Sequence, residues 1–102
     1  MELVYQFDKK TSEKIIITNF HGMNASESCL KSATECSRLI DKKKIKIAKV
    51  PGLKGNPASN ACEEASGTPV ILKDAKYNDY EYCLFGKNYF IDSWDLLDRS
   101  KK

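Results

Sequence analysis

The sequence lacks several features that would assign a class of protein at once. Its runs of aliphatic residues, such as Ile15-Ile16-Ile17 and Val70-Ile71-Leu72, are far too short to span a bilayer. It has only 3 prolines and 5 glycines, so collagen-like and low-complexity classes are excluded. Charge of one sign is not in large excess, because 17 basic residues face 14 acidic ones, and the net charge of +3 identifies no nucleic-acid partner.

The length of 102 residues is that of one compact domain. Hydrophobic residues make up 41% and charged residues 30% of the chain, which are ordinary values for a globular protein and exclude a disordered one. We therefore predict a single domain over residues 1–102, with a first half over residues 1–54 and a second half over residues 55–99.

The number and spacing of the cysteines limit the kinds of site that the chain can form. The chain has 4 cysteines but no C-x-x-C pair, so zinc ribbons and thioredoxin-like sites have no support, and we expect no cofactor. In a continuous helix the Cα atoms of Cys29 and Cys36 would lie about 10.5 Å apart, beyond the reach of a disulfide. These two residues are therefore buried core residues, or each is bonded to another cysteine, or the helix is broken between them.

The hydrophobic pattern predicts an α+β domain, in which an antiparallel sheet has helices packed on one side in the order ββαβ-αβββα. The predicted strands contain Leu3 to Phe7, Ile15 to Phe20, Ile45 to Ile47, Val70 to Leu72, Tyr80 to Phe85 and Tyr89 to Ile91. The predicted helices run from Asn24 to about Asp41, from Pro57 to Ala65, and from Asp92 or Ser93 past Leu97.

Capping patterns give the expected helix boundaries. Asn24 is followed three residues later by Glu27, which is the spacing of a capping box and predicts that the first helix begins there. The buried stripe of this helix would contain Cys29, Ala33, Cys36 and Ile40. The second helix is expected to end at Gly67 in the left-handed conformation.

The second half of the chain contains several short motifs at fixed spacings from one another. The motifs are Asn56-Pro57-Ala58-Ser59-x2-Cys62, Gly67-Thr68, Cys83-x-Phe85 and Trp94. In order and spacing they resemble a bacterial family, the small "hemolysin" domain of unknown function that carries the family number 333. The resemblance covers Gly55 to Leu97, and nothing before Lys54 is similar to the family.

The resemblance implies an exported bacterial protein and no particular chemistry. Two further cysteines of the family are absent here, one of them at the position of Ile91. Their joint loss implies that those two pair with each other, which leaves Cys62 to form a disulfide with Cys83. The glycine-rich hairpin of the family is replaced here by Tyr77-Asn78-Asp79-Tyr80-Glu81.

This hairpin is the candidate binding surface. Tyrosine offers a large, rigid contact area and is enriched at interfaces, so we predict that Tyr77, Asp79 and Tyr80 contact a partner. An alternative for Tyr80 is that it packs on one face of the sheet with Tyr82 and Leu84, because the three residues stand at alternate positions of the predicted strand. Trp94 is expected to be buried instead.

Two other functional hypotheses come from the first half. A thiol-dependent enzyme or redox protein would use Cys29 or Cys36 with His21, the single histidine. A nucleic-acid binder would use the segment from Arg38 to Lys54, where seven basic residues face one acid. Because aromatic residues are not interleaved with these lysines, a solvated strand edge explains them better.

The sequence contains no convincing catalytic set, so we predict a protein that is not an enzyme. The leading hypothesis is a binding, inhibitor or immunity-type module that acts on another protein or an envelope component. Residues Met1 to Val4 do not form a signal peptide, which leaves open a cytosolic chain and a mature exported one. The resemblance favours a periplasmic or secreted location.

Overall fold

The computed structural model describes residues 1–6, 10–40, 57–86 and 88–100 of the chain. Six strands and four helices lie in these ranges. The strands are β1 (Glu2–Gln6), β2 (Ser12–Phe20), β3 (Met23–Ser26), β4 (Thr68–Lys73), β5 (Asp79–Phe85) and β6 (Tyr89–Asp92). The helices are α1 (Ser28–Lys31), α2 (Ala33–Leu39), α3 (Pro57–Glu64) and α4 (Ser93–Ser100).

The six strands form a closed barrel in the order β1-β2-β3-β6-β5-β4, with antiparallel neighbours. The prediction of a mixed helix and strand domain with an antiparallel sheet is therefore confirmed. The sheet is not open, however, and the order ββαβ-αβββα is not reproduced, because β3 precedes the first helix. The strand predicted from Ile45 to Ile47 lies outside the described residues.

Alternation along the strands divides the buried side chains between two cores. One core fills the barrel and contains Leu3, Ile15, Ile17, Leu72, Tyr82 and Phe90. The other lies between the helices and the outer face of the barrel, and its larger members are Phe20, Met23, Ile40, Phe85, Tyr89, Ile91 and Leu96. On the outer face of β1 and β4, by contrast, Val4 and Ile71 belong to neither core.

The barrel closes through two short seams between its first and second halves. β1 and β4 are paired through two residue pairs. β3 and β6 are paired through Ala25 and Ile91. Next to this pair, the buried hydroxyl of Ser26 accepts a hydrogen bond from the backbone N–H of Phe90 at 2.9 Å. A serine side chain thus supplies an acceptor beside the single residue pair that joins these two strands.

The predicted start of the first helix at Asn24 is wrong, because Asn24 lies in β3. The preceding residues His21 and Gly22 have φ angles of 52° and 83°. Two positive φ angles in succession suit a two-residue hairpin turn, so the chain reverses there and continues as a strand. The end predicted near Asp41 lies outside the described residues.

The first helix is also interrupted. Ser32, with φ −129° and ψ 56°, separates α1 from α2. The break brings the Cα atoms of Cys29 and Cys36 to 5.2 Å, and the two cysteines form a disulfide. Of the predicted stripe, Cys29, Cys36 and Ile40 are buried, whereas Ala33 is exposed because the break changes its direction.

The second disulfide joins α3 to β5 through Cys62 and Cys83, whose Cα atoms lie 5.4 Å apart. This is the pair that the family resemblance implies. Gly67 packs against it, since a Cβ atom at this position would clash with Sγ of Cys83. The left-handed residue after α3 is Ser66, with φ 67°, so the conformation predicted for Gly67 is wrong.

Helix α4 begins at the side chain of Asp92, as predicted. Asp92 Oδ1 accepts hydrogen bonds from the backbone N–H groups of Trp94 at 2.9 Å and Asp95 at 3.2 Å. The helix then buries Leu96 and Leu97 against the barrel. The prediction that Trp94 is buried is wrong, because this residue is 48% exposed.

Candidate binding groove

The turn between β4 and β5 is fixed by the carboxylate of Asp74. Oδ1 of Asp74 accepts hydrogen bonds from the backbone N–H groups of Lys76 at 2.8 Å and Asn78 at 3.0 Å. Oδ2 accepts hydrogen bonds from the side-chain amide of Asn78 at 3.1 Å and from the hydroxyl of Tyr80 at 2.9 Å. Both oxygens are thus engaged within the turn, which gives it a defined shape.

These hydrogen bonds also alter the titration of Asp74. They favour the charged carboxylate, and with the backbone N–H of Asn78 as the largest cause they lower the pKa of Asp74 from 3.8 to about 2. The hydrogen bond to Asp74 raises the pKa of the Tyr80 hydroxyl. The turn is therefore held by an ionised carboxylate over nearly the whole pH range.

Tyr77 lies at the tip of this turn. Its backbone N–H donates a hydrogen bond to the carbonyl oxygen of Asp74 at 3.0 Å. Its φ of 63° is unusual for a large side chain, and its ring is 80% exposed. The backbone at Tyr77 is therefore constrained, although the aromatic ring is in solvent and buries little surface.

A groove of about 630 Å³ opens beside Tyr77 on the outer face of the barrel. Its described lining residues are Val4, Gln6, Ile71, Lys73, Asp74, Ala75 and Tyr77. Ile71 is 46% exposed there. The volume is within the range of sites that hold small ligands or the anchor side chains of a partner protein.

Of the three predicted contact residues, Tyr77 alone is in the lining of the groove. Asp79 forms an exposed ion pair with Lys73, at 3.2 Å between Oδ1 and Nζ. Tyr80 is half-buried and packs, like Leu84, against the core inside the barrel, to which Tyr82 belongs. The placement of Tyr80 therefore fits the alternative in which it packs on a sheet face.

The apolar walls of the groove were not identified from the sequence. Ile71 is the middle residue of the run Val70-Ile71-Leu72, which is typical of a strand that is buried on both faces. Val4 alternates with Leu3 and Tyr5, so its position on the outer face follows from periodicity. Its neighbour across the strands could not be predicted, because the seam between β1 and β4 joins distant parts of the chain.

The residues of the thiol-enzyme hypothesis do not form a catalytic pair in this structure. Cys29 and Cys36 are fully buried and bonded to each other, and the chain has no free cysteine. Nε2 of His21 lies 3.3 Å from the hydroxyl oxygen of Ser37 rather than near a thiol. The basic segment that continues from Arg38 to Lys54 lies outside the described residues beyond Ile40.

The described part of the chain contains neither a cluster of metal-ligating side chains nor a membrane-spanning helix. No group of three or more histidine, cysteine, aspartate or glutamate side chains in it is arranged to hold a metal ion. No helix in it has the length and apolarity needed to cross a bilayer. The two disulfides are typical of proteins from oxidising compartments.

The fold and the groove define a small, disulfide-bonded α+β barrel domain. Residues 54–100 of the chain match the family model described as "Domain of unknown function (DUF333)", which confirms the resemblance of the second half. Neither a curated protein nor a solved structure matches the chain. The matched residues include β4 and the turn of Tyr77, whereas Val4 and Gln6 belong to the first half.

Proposed function

We propose that this protein is a binding module rather than an enzyme, and that it acts on another protein in the periplasm or outside the cell. Its role would be that of an inhibitor, immunity or envelope-interaction protein. The observation that carries the proposal is Tyr77, an aromatic side chain that is 80% exposed beside an apolar groove.

Preorganisation supports this role for Tyr77. The carboxylate of Asp74 fixes the turn through four hydrogen bonds before any partner arrives. A side chain that is already held in position loses less conformational entropy on binding. Tyrosine also has only two side-chain torsions for a large contact area, which is why it is common in binding surfaces.

The groove supports a protein as the partner. Val4, Ile71 and Ala75 line it beside the tyrosine ring and offer apolar contact surface. Binding sites on proteins concentrate their energy in such pockets, each of which receives one buried anchor side chain. The disulfides support an oxidising location, where an envelope protein would be the partner.

The proposal is tested by capture from envelope fractions of a bacterium that exports the protein. The immobilised wild-type chain is compared with Tyr77→Ala and with Leu30→Ala, a control at an apolar residue that is 53% exposed on α1. We expect a partner that the wild type and Leu30→Ala retain. Its affinity for Tyr77→Ala should be lower by about 1 kcal/mol or more. Equal retention by all three chains would contradict the proposal.

A further inference from the structure

Trp94 is a large aromatic residue that the fold leaves half-exposed on helix α4. Its exposed fraction is 48%, and the chain contains no other tryptophan. Residues four positions apart are neighbours on the surface of an α-helix, so Asp98 lies beside Trp94. Asp98 is exposed and has no hydrogen bond or ion pair to another described residue. The exposed face of α4 therefore combines an aromatic ring with an available carboxylate.

The surface around Trp94 has an excess of negative charge. Helix α4 packs against α3, and these two helices with the capping residue of α4 contain five acidic residues and one basic residue. The acidic residues are Glu63, Glu64, Asp92, Asp95 and Asp98, and the basic residue is Arg99. The whole chain, by contrast, has a net charge of +3. An acidic surface attracts cationic groups and repels nucleic acids and anionic lipids, which favours a basic group of a protein as its ligand.

Arg99 does not cancel this charge beside the tryptophan. Five positions along an α-helix correspond to about 140° around its axis, so Arg99 lies on a different side of α4 from Trp94. None of the ion pairs between described residues involves Arg99. Burial is the largest cause that raises the pKa of Asp92, and the charges of Asp95 and Asp98 raise it further. The carboxylates of α4 are therefore close enough to repel one another, and a bound cation would relieve this repulsion.

We propose that the exposed face of α4 is a second interaction surface, which binds an arginine side chain of a partner protein. The guanidinium group lies against the ring of Trp94 and donates hydrogen bonds to the carboxylate of Asp98. Arginine suits this surface better than lysine, because its planar group stacks on aromatic rings and donates two hydrogen bonds to one carboxylate. The proposal goes beyond the groove and does not rest on it, since α4 contacts β3, β5 and β6 whereas the groove lies on β1, β4 and the turn of Tyr77.

A matched pair of small probes tests whether this surface recognises the cation. N-acetylarginine amide and N-acetylcitrulline amide have side chains of nearly the same shape, and only the first is charged. Each probe is titrated into the full-length, oxidised protein, and the indole Nε1–H resonance and the fluorescence of Trp94 are followed. Both signals come from this site alone, because the chain has a single tryptophan. We expect an affinity about threefold or more higher for the arginine probe, with a preference that decreases as salt is added.

Substitutions separate the local carboxylate from the net charge of the protein. Asp98→Asn removes the carboxylate at an exposed helix position, so the preference for the arginine probe should decrease by about twofold or more. Asp79→Asn is the matched control, because it changes the net charge equally at an exposed carboxylate that is paired with Lys73. It should leave the preference unchanged. Trp94→Leu removes the ring, so the affinity for the arginine probe, followed at the backbone amide of Asp98, should decrease as well.

Three results would overturn the proposal. The first is equal affinity of the wild-type protein for the two probes, since the charge would then not be recognised. The second is an equal decrease in preference for Asp79→Asn and Asp98→Asn, since net charge rather than α4 would then attract the probe. The third is a Trp94 signal that changes with protein concentration without a probe, since a second copy of the chain would then be the occupant. None of these measurements involves the groove, so their failure is distinguishable from failure of the capture through Tyr77.

Discussion

Position 67 requires glycine because the disulfide between Cys62 and Cys83 lies directly against it. A Cβ atom at this position would clash with Sγ of Cys83 and would lie 3.1 Å from Sγ of Cys62. A buried disulfide is held at both ends, so its sulfur atoms cannot move away as the end of a flexible side chain could. The requirement for glycine here comes from space and not from an unusual backbone conformation.

The structure predicts that Gly67→Ala destabilises the protein by about 1–3 kcal/mol, because the added methyl group overpacks the site. Urea unfolding of the oxidised chain measures this loss. The control is Glu63→Ala at an exposed residue of α3, which should change the free energy of unfolding by less than about 0.5 kcal/mol. Similar midpoints for Gly67→Ala and the wild type would show that the sulfur atoms do not restrict this position.

Asp74 gives the turn of Tyr77 a defined response to acid. Its pKa is about 2 in the folded protein and 3.8 ordinarily, so the carboxylate stabilises the turn fully above about pH 4. This contribution is lost as the pH falls through about 2. We expect the amide resonances of Lys76 and Asn78 to titrate with a midpoint near 2, and to lose that transition in Asp74→Asn. A midpoint near 3.8 would mean that the four hydrogen bonds do not persist in solution.

At the level of elements, helix α4 has a buried side and an exposed side. Leu96 is fully buried, whereas Trp94 is 48% exposed on the same helix. Leu96→Ala should therefore cost about 3 kcal/mol, within the range for buried leucines, and Trp94→Ala about 1 kcal/mol. Thermal unfolding of the two variants gives the comparison. An equal or larger loss for Trp94→Ala would place that ring in the core.

Several elements could be predicted from the sequence because their signals are local. The β2 strand follows from the run of isoleucines, and the start of α4 follows from Asp92, whose carboxylate caps the helix. The break at Ser32 could not be predicted, since the stripe of Cys29, Cys36 and Ile40 fits one continuous helix equally well. The spacing of the two cysteines left the break as one of three alternatives.

At the level of the whole molecule, no local sequence pattern indicates that the six strands close into a barrel. The pairs between β1 and β4 join Val4 to Lys73 and Tyr5 to Leu72, which are far apart along the chain. Periodicity shows which face of a strand is buried but not which strand lies beside it. The groove has one wall on each side of this seam, so it could not be predicted, whereas Tyr77 could be found from the composition of its turn.

The two disulfides should stabilise the whole domain to different extents. Cys62 and Cys83 are 21 residues apart and Cys29 and Cys36 are 7 apart, so the first bond restricts the unfolded chain more. The chain-entropy model gives about 3.4 kcal/mol for the first and about 2.5 kcal/mol for the second. Denaturation of Cys62→Ala/Cys83→Ala and of Cys29→Ala/Cys36→Ala compares them. A larger loss for the second double variant would contradict this order.

Site-specific photocrosslinking in cells that produce the protein tests most directly whether the groove is the surface that binds a partner. A photoreactive residue replaces Tyr77 in one chain and Leu30, on α1, in another, because both positions are exposed. We predict a discrete crosslinked protein from position 77, none from position 30, and loss of the product when Ile71→Asp places a charge in the groove. The same product from both positions, or a product from position 77 that persists with Ile71→Asp, would contradict a binding role for the groove.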